Sequence, residues 1–225
     1  MAAKQPNPDR FSRQVNTHML SFTKKEKAFL KKLNTPAKVQ DFLNLIPFNY
    51  EKNGVDRVKS PVRVLREKSA HCIEGAIFSA HVLSLHGHKP FILLLKSTKN
   101  DLDHVIAPFK IDGFWGAISK TNHAVLRYRE PVYKNIRELV MSYFHEYFLN
   151  DGTKTLRSYS GLLNLNIFEK GFECGEEDLW GIDEELDNIR HYKIVPKKLL
   201  KNFGKKLRKT DKVERRAGLI VEWKR

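Results

Sequence analysis

The sequence predicts an α+β domain in which helices pack against an antiparallel sheet. Three runs of strand length favour a sheet: Phe91–Lys96, 104–111 and 114–120. The second and third runs are separated by Asp112-Gly113, and an Asp-Gly pair between two such runs is a strong signal for a hairpin. Because helical segments precede and follow these runs, the order helix, strand, hairpin, helix indicates the α+β class.

Apolar spacing and helix-start signals predict two short helices ahead of the sheet. Lys24–Lys32 has helical propensity with a sparse apolar face. Thr35 followed by Pro36 is typical of an N-cap and a first helical residue. Apolar side chains then recur at helical spacing from Val39 to Ile46.

The helix that contains Cys72 is predicted from apolar residues at helical spacing. Ser69 is its expected N-cap, and Gly87 stands where a C′ glycine would end it. Residues 54–66, which include a proline, are expected to form an irregular approach to this helix. An aromatic and apolar stripe predicts a further helix over 135–149, with the stripe buried in the core.

Composition limits the class of protein. The chain has 225 residues, 41% of them hydrophobic, so it can fill a substantial core. We divide it into a helical lead-in (1–34), a core domain (35–165) and a charged extension (166–225). No apolar run approaches the roughly 18–20 residues that cross a bilayer, so no membrane span is expected, and no secretory signal is recognised. Two cysteines exclude a disulfide scaffold and favour a cytoplasmic location.

The formal net charge of +15 is unevenly distributed. Lys197–Arg225 contains twelve basic and three acidic residues, whereas Glu173–Asp187 contains eight acidic residues and no basic one. A basic arm is typical of contact with nucleic acid or another anionic surface. The alternative, that the two stretches neutralise each other or are solvated faces, is favoured, because charge patterning of this kind is a weak signal for function.

Cys72 and His104 are the candidate catalytic pair. Cys72 lies in the first turn of its predicted helix, where free N–H groups and the helix dipole stabilise a thiolate. The alternative is a small buried hydrophobic residue, the commoner role of a single helical cysteine. Cys174, among glutamates, would have its thiolate disfavoured. His104 opens the second predicted strand, and a helix-borne thiol that faces a strand-borne imidazole is suited to nucleophilic catalysis.

Four segments within 69–122 are Cys72-Ile-Glu-Gly-Ala76, Leu85-His-Gly-His88, His104-Val-Ile and Gly113-Phe-Trp-Gly. Together they resemble the core of the transglutaminase-like superfamily. The resemblance implies a papain-like fold, with the cysteine-bearing helix packed on the antiparallel sheet. It also implies cysteine–histidine acyl transfer on a peptide, a protein or a small amide, without a cofactor.

The residue that holds the histidine is the point at which this sequence departs from that family. The family usually places an aspartate after the hairpin turn, and Ser119 occupies that place here. Asn122 is the next candidate, because asparagine has this role in papain-like enzymes, and Asp112 at the hairpin tip is the third. Asp103, beside the histidine, is a further source of negative charge.

In the expected reaction Cys72 attacks a carboxamide or ester carbonyl, and His104 takes and returns the proton. The backbone N–H of Cys72 is the first expected oxyanion donor. Trp115 and His71 are the candidate substrate-binding residues, with a core tryptophan as the alternative for Trp115. No metal site is expected, because the histidines near Cys72 match no structural zinc spacing.

Three classes of function follow from these observations. The first is a cysteine-dependent enzyme that hydrolyses or transamidates amides through a thioester on Cys72. The second is a catalytically silent binding module of the same fold, because Ser119 and Asn122 carry no charge to stabilise an imidazolium. The third is a nucleic-acid-binding protein that uses residues 197–225.

Overall fold

A computed structural model describes residues 20–51, 54–201 and 207–218. The α-helices are α1 (Lys24–Lys32), α2 (Pro36–Leu45), α3 (Pro61–Glu67), α4 (Cys72–Ser84), α5 (Ile136–Met141), α6 (Trp180–Asn188), α7 (Lys197–Leu200) and α8 (Lys212–Gly218). The strands are β1 (Phe91–Lys96), β2 (His104–Ile111), β3 (Phe114–Ile118), β4 (Arg129–Tyr133), β5 (Ser158–Ser160), β6 (Leu163–Asn164) and β7 (His191–Lys193). Short 3₁₀ turns lie at Ala124–Leu126, Leu165–Ile167 and Phe172–Cys174.

The strands form an antiparallel sheet in the order β4-β3-β2-β1-β5-β7, and β6 also pairs with β1. β2 and β3 make the predicted hairpin, and its turn residues Asp112 and Gly113 have φ of 49° and 88°. Positive φ at both central residues is typical of a type I′ turn, which matches the twist of the strands and favours Asp-Gly. Helices pack on this sheet, so the predicted α+β class is confirmed.

The central strand β1 is buried on both faces of the sheet. Ile92 and Leu94 belong to the core beneath α4, whereas Leu93 and Leu95 belong to the core on the opposite face. Successive side chains of a strand point to opposite faces. A strand that is covered on both sides therefore needs an uninterrupted apolar run, which explains why this segment lacks polar alternation.

The helix α4 lies against β1 and β2, and α2 and α3 cover its outer side. It begins at Cys72, with His71 as its N-cap, so the prediction of Ser69 as the cap is wrong. The Ser69 hydroxyl instead accepts a hydrogen bond from Lys59 Nζ at 2.9 Å. Gly87 has φ of 87° and lies two residues past the C-cap, one position later than predicted. Cys72 is thus the first residue of the helix, closer to the positive end of its dipole than the sequence indicates.

Two other elements differ from the sequence prediction. The irregular approach predicted over 54–66 contains the start of α3, because Pro61 suits a first helical position, where an N–H has no intrahelical acceptor. The helix predicted over 135–149 ends already at Met141. The chain continues beyond it in tight turns with hydrogen bonds to the third residue before. The aromatic stripe stays buried in these turns, because Tyr143, Phe144 and Tyr147 all pack in the core.

The segment after residue 165 contributes to the sheet and to the core. β7 pairs with β5, and Ile182 and Leu186 of α6 are buried in the core beneath α4. The division of the chain into three domains stays a prediction, and parts of the lead-in and of the basic extension lie outside the described residues. None of the helices in the described ranges is long and apolar enough to cross a membrane.

The acidic stretch and the basic end of the chain pair with different partners within the described residues. The acidic stretch pairs with cations of the preceding elements: Arg63–Asp178 at 2.8 Å and Lys96–Asp187 at 2.7 Å. The basic end packs elsewhere, since Lys209 pairs with Asp151 at 2.5 Å. Beside it, the Thr210 N–H donates to Gly152 O at 2.9 Å. Gly152 has φ of +83°, and an added Cβ would lie 2.6 Å from the Thr210 carbonyl oxygen, so this contact requires glycine.

Candidate active site

The sulfur of Cys72 lies at the start of α4 and is partly buried. Burial raises the pKa of this thiol. Hydrogen bonds and charge from the side chains of His104 and His71 outweigh burial, and lower the pKa to about 5. A thiol with such a pKa is a thiolate at neutral pH, and the thiolate is the nucleophilic form of cysteine.

His104 is the first residue of β2 and pairs with Leu95 in β1. Its side chain is buried, and its Nε2 lies 2.6 Å from the hydroxyl oxygen of Ser119, which is also buried. Since Nε2 is engaged by Ser119, Nδ1 is the nitrogen that can face the sulfur of Cys72. The structure thus brings together the three residues that the sequence analysis ranked first for the catalytic role.

Ser119 follows β3 and is held by the helix α2. Its N–H donates to Gln40 Oε1 at 2.9 Å, and Gln40 Nε2 donates to its carbonyl at 3.0 Å. The next residue, Lys120, is buried and donates to the carbonyls of Leu43 and Ile46 at 3.0 and 2.7 Å. A cation suits these last carbonyls of a helix, where the dipole is negative. Neither Gln40 nor Lys120 was found from the sequence, because no local pattern links α2 to the residues after β3.

His71 stands on the other side of the sulfur. Its Nε2 lies 2.6 Å from the carbonyl oxygen of Arg57, 3.3 Å from Glu51 Oε1 and 3.7 Å from Glu74 Oε1. Burial lowers the pKa of this imidazole. The hydrogen bond to the Cys72 sulfur and the negative charge of Glu74 outweigh burial, and raise the pKa to about 9. His71, predicted from the sequence to bind substrate, is thus occupied with the protein's own groups.

Glu74 is fully buried in the first turn of α4, below His71. One carboxylate oxygen accepts from the Lys59 N–H at 3.1 Å. The other accepts from the His71 N–H at 2.9 Å and from Asn49 Nδ2 at 3.3 Å. Lys59 Nζ lies 3.9 Å away and supplies positive charge. The carboxylate is therefore fixed by donors on both oxygens, which goes beyond the helix-dipole role that is common for a glutamate at this position.

The other candidates for holding the imidazole lie elsewhere. Asp103 Oδ1 accepts from the Ser97 N–H at 2.7 Å, and its second oxygen pairs with Lys96 Nζ at 2.8 Å. Asp112 lies at the opposite end of β2, about 26 Å from His104 at about 3.3 Å per residue. Asn122 is partly exposed, and within the described residues no hydrogen bond joins it to His104.

Trp115 is not brought to the sulfur. It pairs with Lys110 across the hairpin, about 20 Å along β2 from His104. Its ring lies 6.3 Å from the ring of Phe91 and 5.4 Å from Lys110 Nζ. These contacts agree with the alternative of a packing tryptophan, so we leave Trp115 out of the site.

Asp183 of α6 is a neighbour of the site that sequence analysis missed. Burial, the nearby carboxylate of Asp187 and the negative charge of Cys72 raise the pKa of Asp183, whereas the charge of His71 lowers it. Asp187 is tied to the edge of the sheet through Lys96 at 2.7 Å. The acidic stretch hides Asp183 among seven other carboxylates, so no sequence signal singles it out.

In the described ranges, no cluster of three or more His, Cys, Asp and Glu side chains is arranged to hold a metal ion. His86, which lies near Cys72 in the sequence, contacts the Leu30 carbonyl at 3.3 Å. His88 packs its ring against Phe109 at 6.5 Å. Packing and hydrogen bonding thus account for these two histidines.

No protein-family model matches the chain, and no curated protein matches it. The resemblance to the transglutaminase-like superfamily therefore stays a prediction, and the chemistry is inferred from the residues that the fold brings together.

Proposed function

We propose that this protein is a cysteine-dependent acyl-transfer enzyme, which forms a thioester on Cys72 and passes the acyl group to water or to an amine. The observation that carries this proposal is the pair formed by Cys72 and His104. A thiol with a pKa of about 5 lies beside an imidazole whose far nitrogen is held by a buried hydroxyl at 2.6 Å. Nucleophilic catalysis requires a nucleophile that contacts a base, and a further group that orients the base.

The first half of the reaction forms the thioester. The Cys72 thiolate attacks the carbonyl carbon, and the carbonyl oxygen becomes an oxyanion. The N–H of Cys72 is a donor for that oxyanion, because the first-turn amides of α4 have no intrahelical acceptors. His104, in its protonated form, gives the proton on Nδ1 to the leaving amine as the carbon–nitrogen bond breaks.

The second half returns the enzyme to its starting state. Neutral His104 takes a proton from water or from an incoming amine, which attacks the thioester carbon. Collapse of this intermediate releases the thiolate and the product. Water gives hydrolysis and an amine gives transamidation. Ser119 holds the ring in place but brings no negative charge to the imidazolium, so we expect turnover to be slower than with an aspartate at this position.

The same geometry supports a papain-like, transglutaminase-like arrangement of the core. The cysteine begins a buried helix, the histidine begins a strand beneath it, and the third residue directly follows the next strand. We propose a peptide, a protein or a small amide as the substrate on this basis, and a cytoplasmic location stays the expectation from cysteine usage.

An acylation assay with p-nitrophenyl acetate tests the proposed function. We expect the full chain to release p-nitrophenolate with an initial burst, and mass spectrometry to find the acetyl group on Cys72. Cys72→Ser and His104→Ala are expected to abolish the burst, whereas Cys174→Ser, the matched control, is expected to keep it. Faster decay of the acetyl-enzyme with added cadaverine than with water alone would assign transamidation. Equal, slow acetylation of both cysteines would contradict the proposal.

A catalytically silent binding module is the second candidate, and the neutral Ser119 beside His104 favours it. It predicts a folded protein that gives no burst in the same assay. Binding of nucleic acid through residues 197–225 gains no support from the described part of this segment. Arg208 pairs with Asp211 and Glu214, and Lys209 pairs with Asp151, so these cations already have carboxylate partners.

A further inference from the structure

The Cys72 sulfur has a second imidazole, His71, which the acyl-transfer mechanism does not use. His71 is the N-cap of α4 and precedes Cys72 directly, so the helix start fixes its backbone. The side chain is pinned on its outer side by the Arg57 carbonyl, 2.6 Å from Nε2. On its inner side it hydrogen-bonds the Cys72 sulfur.

The Arg57 carbonyl can only accept a hydrogen bond, so Nε2 of His71 carries a proton. A second proton on the other nitrogen makes the ring an imidazolium, which can then donate to the sulfur. Two carboxylates compensate this positive charge, since Glu51 Oε1 and Glu74 Oε1 lie 3.3 and 3.7 Å from Nε2.

We propose that His71 is a positioning residue that remains an imidazolium and holds the Cys72 sulfur as a thiolate independently of the protonation state of His104. This inference rests on the proposed function, in which Cys72 is the nucleophile. In a simple cysteine–histidine pair, one imidazole must both balance the thiolate and supply the proton to the leaving group. Here the two tasks are divided, so His104 is free to exchange its proton while the charge on the sulfur stays balanced.

Other charged groups near His71 also favour its imidazolium form. They are Glu74 on α4 with Lys59 behind it, Glu51 with Asp56 hydrogen-bonded to it, and Asp183 on α6. The carboxylates outnumber the one ammonium group, and Glu74 is fully buried. A fixed negative charge in a buried position favours the imidazolium strongly, because water does not screen it.

The test follows the titration of both partners in the full chain with Cys174→Ser, so that Cys72 is the only thiol. Alkylation by iodoacetamide as a function of pH gives the thiol pKa. We expect a midpoint near 5 in this background. His71→Gln is expected to move the midpoint up by about one pH unit or more. His104→Gln is expected to move it up as well, while leaving it below the ordinary value of a free thiol because His71 remains.

The imidazole is followed by NMR in protein labelled at histidine, which does not require His71 to be replaced. We expect His71 to titrate near pH 9 and to move toward its ordinary value near 6.5 when Cys72 is changed to Ser. This reciprocal shift is a signature that a merely structural histidine would not give.

The outcomes separate this inference from the proposed function. If His71 titrates near 6.5 in the starting protein, or if His71→Gln leaves the thiol midpoint unchanged, the imidazolium role is overturned while a Cys72–His104 enzyme stands. If the Cys72 midpoint already lies near 8.5 in the starting protein, both proposals fail.

Discussion

Cys72 is partly buried and Cys174 is buried, yet the pKa values of their thiols shift in opposite directions. Burial is the largest influence on each, and it raises both pKa values. At Cys72 two imidazoles reverse the effect of burial and lower the pKa to about 5. At Cys174 the neighbouring charges include Glu173, which raises the pKa further, and the net shift is upward. Specific hydrogen-bond partners, rather than burial, therefore decide which thiol has the lowered pKa.

The surroundings of the two thiols are also built differently. Cys174 ends a short 3₁₀ turn, and its carbonyl accepts a hydrogen bond from the Leu20 N–H at 2.9 Å. Cys72 begins a thirteen-residue helix whose first turn contains the buried Glu74. Position at a helix start is favourable for a thiolate, and at Cys72 the hydrogen bonds and charge of His104 and His71 lower the thiol pKa further.

Selective alkylation at pH 6 gives the largest expected difference between the two thiols. Cys72 is expected to be a thiolate at this pH, whereas the raised pKa of Cys174 keeps nearly all of its side chains protonated. The lower intrinsic nucleophilicity of a low-pKa thiolate offsets part of this difference. We expect iodoacetamide to label Cys72 about 10–100-fold faster, as measured by peptide mass spectrometry. Equal rates would remove the contrast on which the proposed function depends.

Ser119→Ala tests whether the imidazole at Cys72 needs its buried hydroxyl partner. The substitution leaves His104 Nε2 without its 2.6 Å contact in a buried position, at a cost of about 1–3 kcal/mol. We expect acylation by p-nitrophenyl acetate to slow by about tenfold. Ser160→Ala is a matched control, because this serine is equally buried but binds the Leu94 N–H in the sheet. An equal loss in both variants would indicate a general loss of packing rather than a role of Ser119.

The smallest expected effect is on the free energy of unfolding. Part of its pH dependence comes from the Cys72 thiol, so Cys72→Ser is expected to remove that part. The folded-state pKa of Cys72 is depressed, so its contribution is absent below about pH 5 and grows as the pH rises, because the unfolded chain binds the extra proton. His71 has a raised pKa, so its contribution is full below about 6.5 and is lost on the way to about 9. In urea titrations, we expect the free energy of unfolding of the unmodified protein, minus that of Cys72→Ser, to increase from pH 5 to about 6.5 and then to level off. Cys174→Ser should show no such rise.

Much of the region around Cys72 follows from local sequence. Strand-like runs, the Asp-Gly turn and helical spacing predict the α4–β1–β2–β3 order, and this order places Cys72, His104 and Ser119 near one another. The reason is physical: hairpin register and helix period are set by residues close in the chain. The start of α4 was misplaced because a serine is the commoner cap, whereas here Lys59 binds that serine.

The remainder of the site depends on contacts between distant residues, which periodicity does not encode. Glu74 receives donors from Lys59 and Asn49, and Asp183 comes from a helix more than a hundred residues beyond Cys72. The sequence shows these only as ordinary surface-type residues. The sequence does not show the contacts of His71 and Trp115 for the same reason, because side-chain direction and strand register decide which of them meets the sulfur.

The hold of α2 on the residues after β3 has a consequence for how the protein reaches its native state. Gln40 meets Ser119 across 79 residues of chain, so this contact closes a long loop, and such closures are slow and entropically costly. Strands β2 and β3 can pair through their tight turn well before that helix has docked. The backbone of Ser119, whose hydroxyl contacts the imidazole, would then be fixed by Gln40 only after this hairpin has formed.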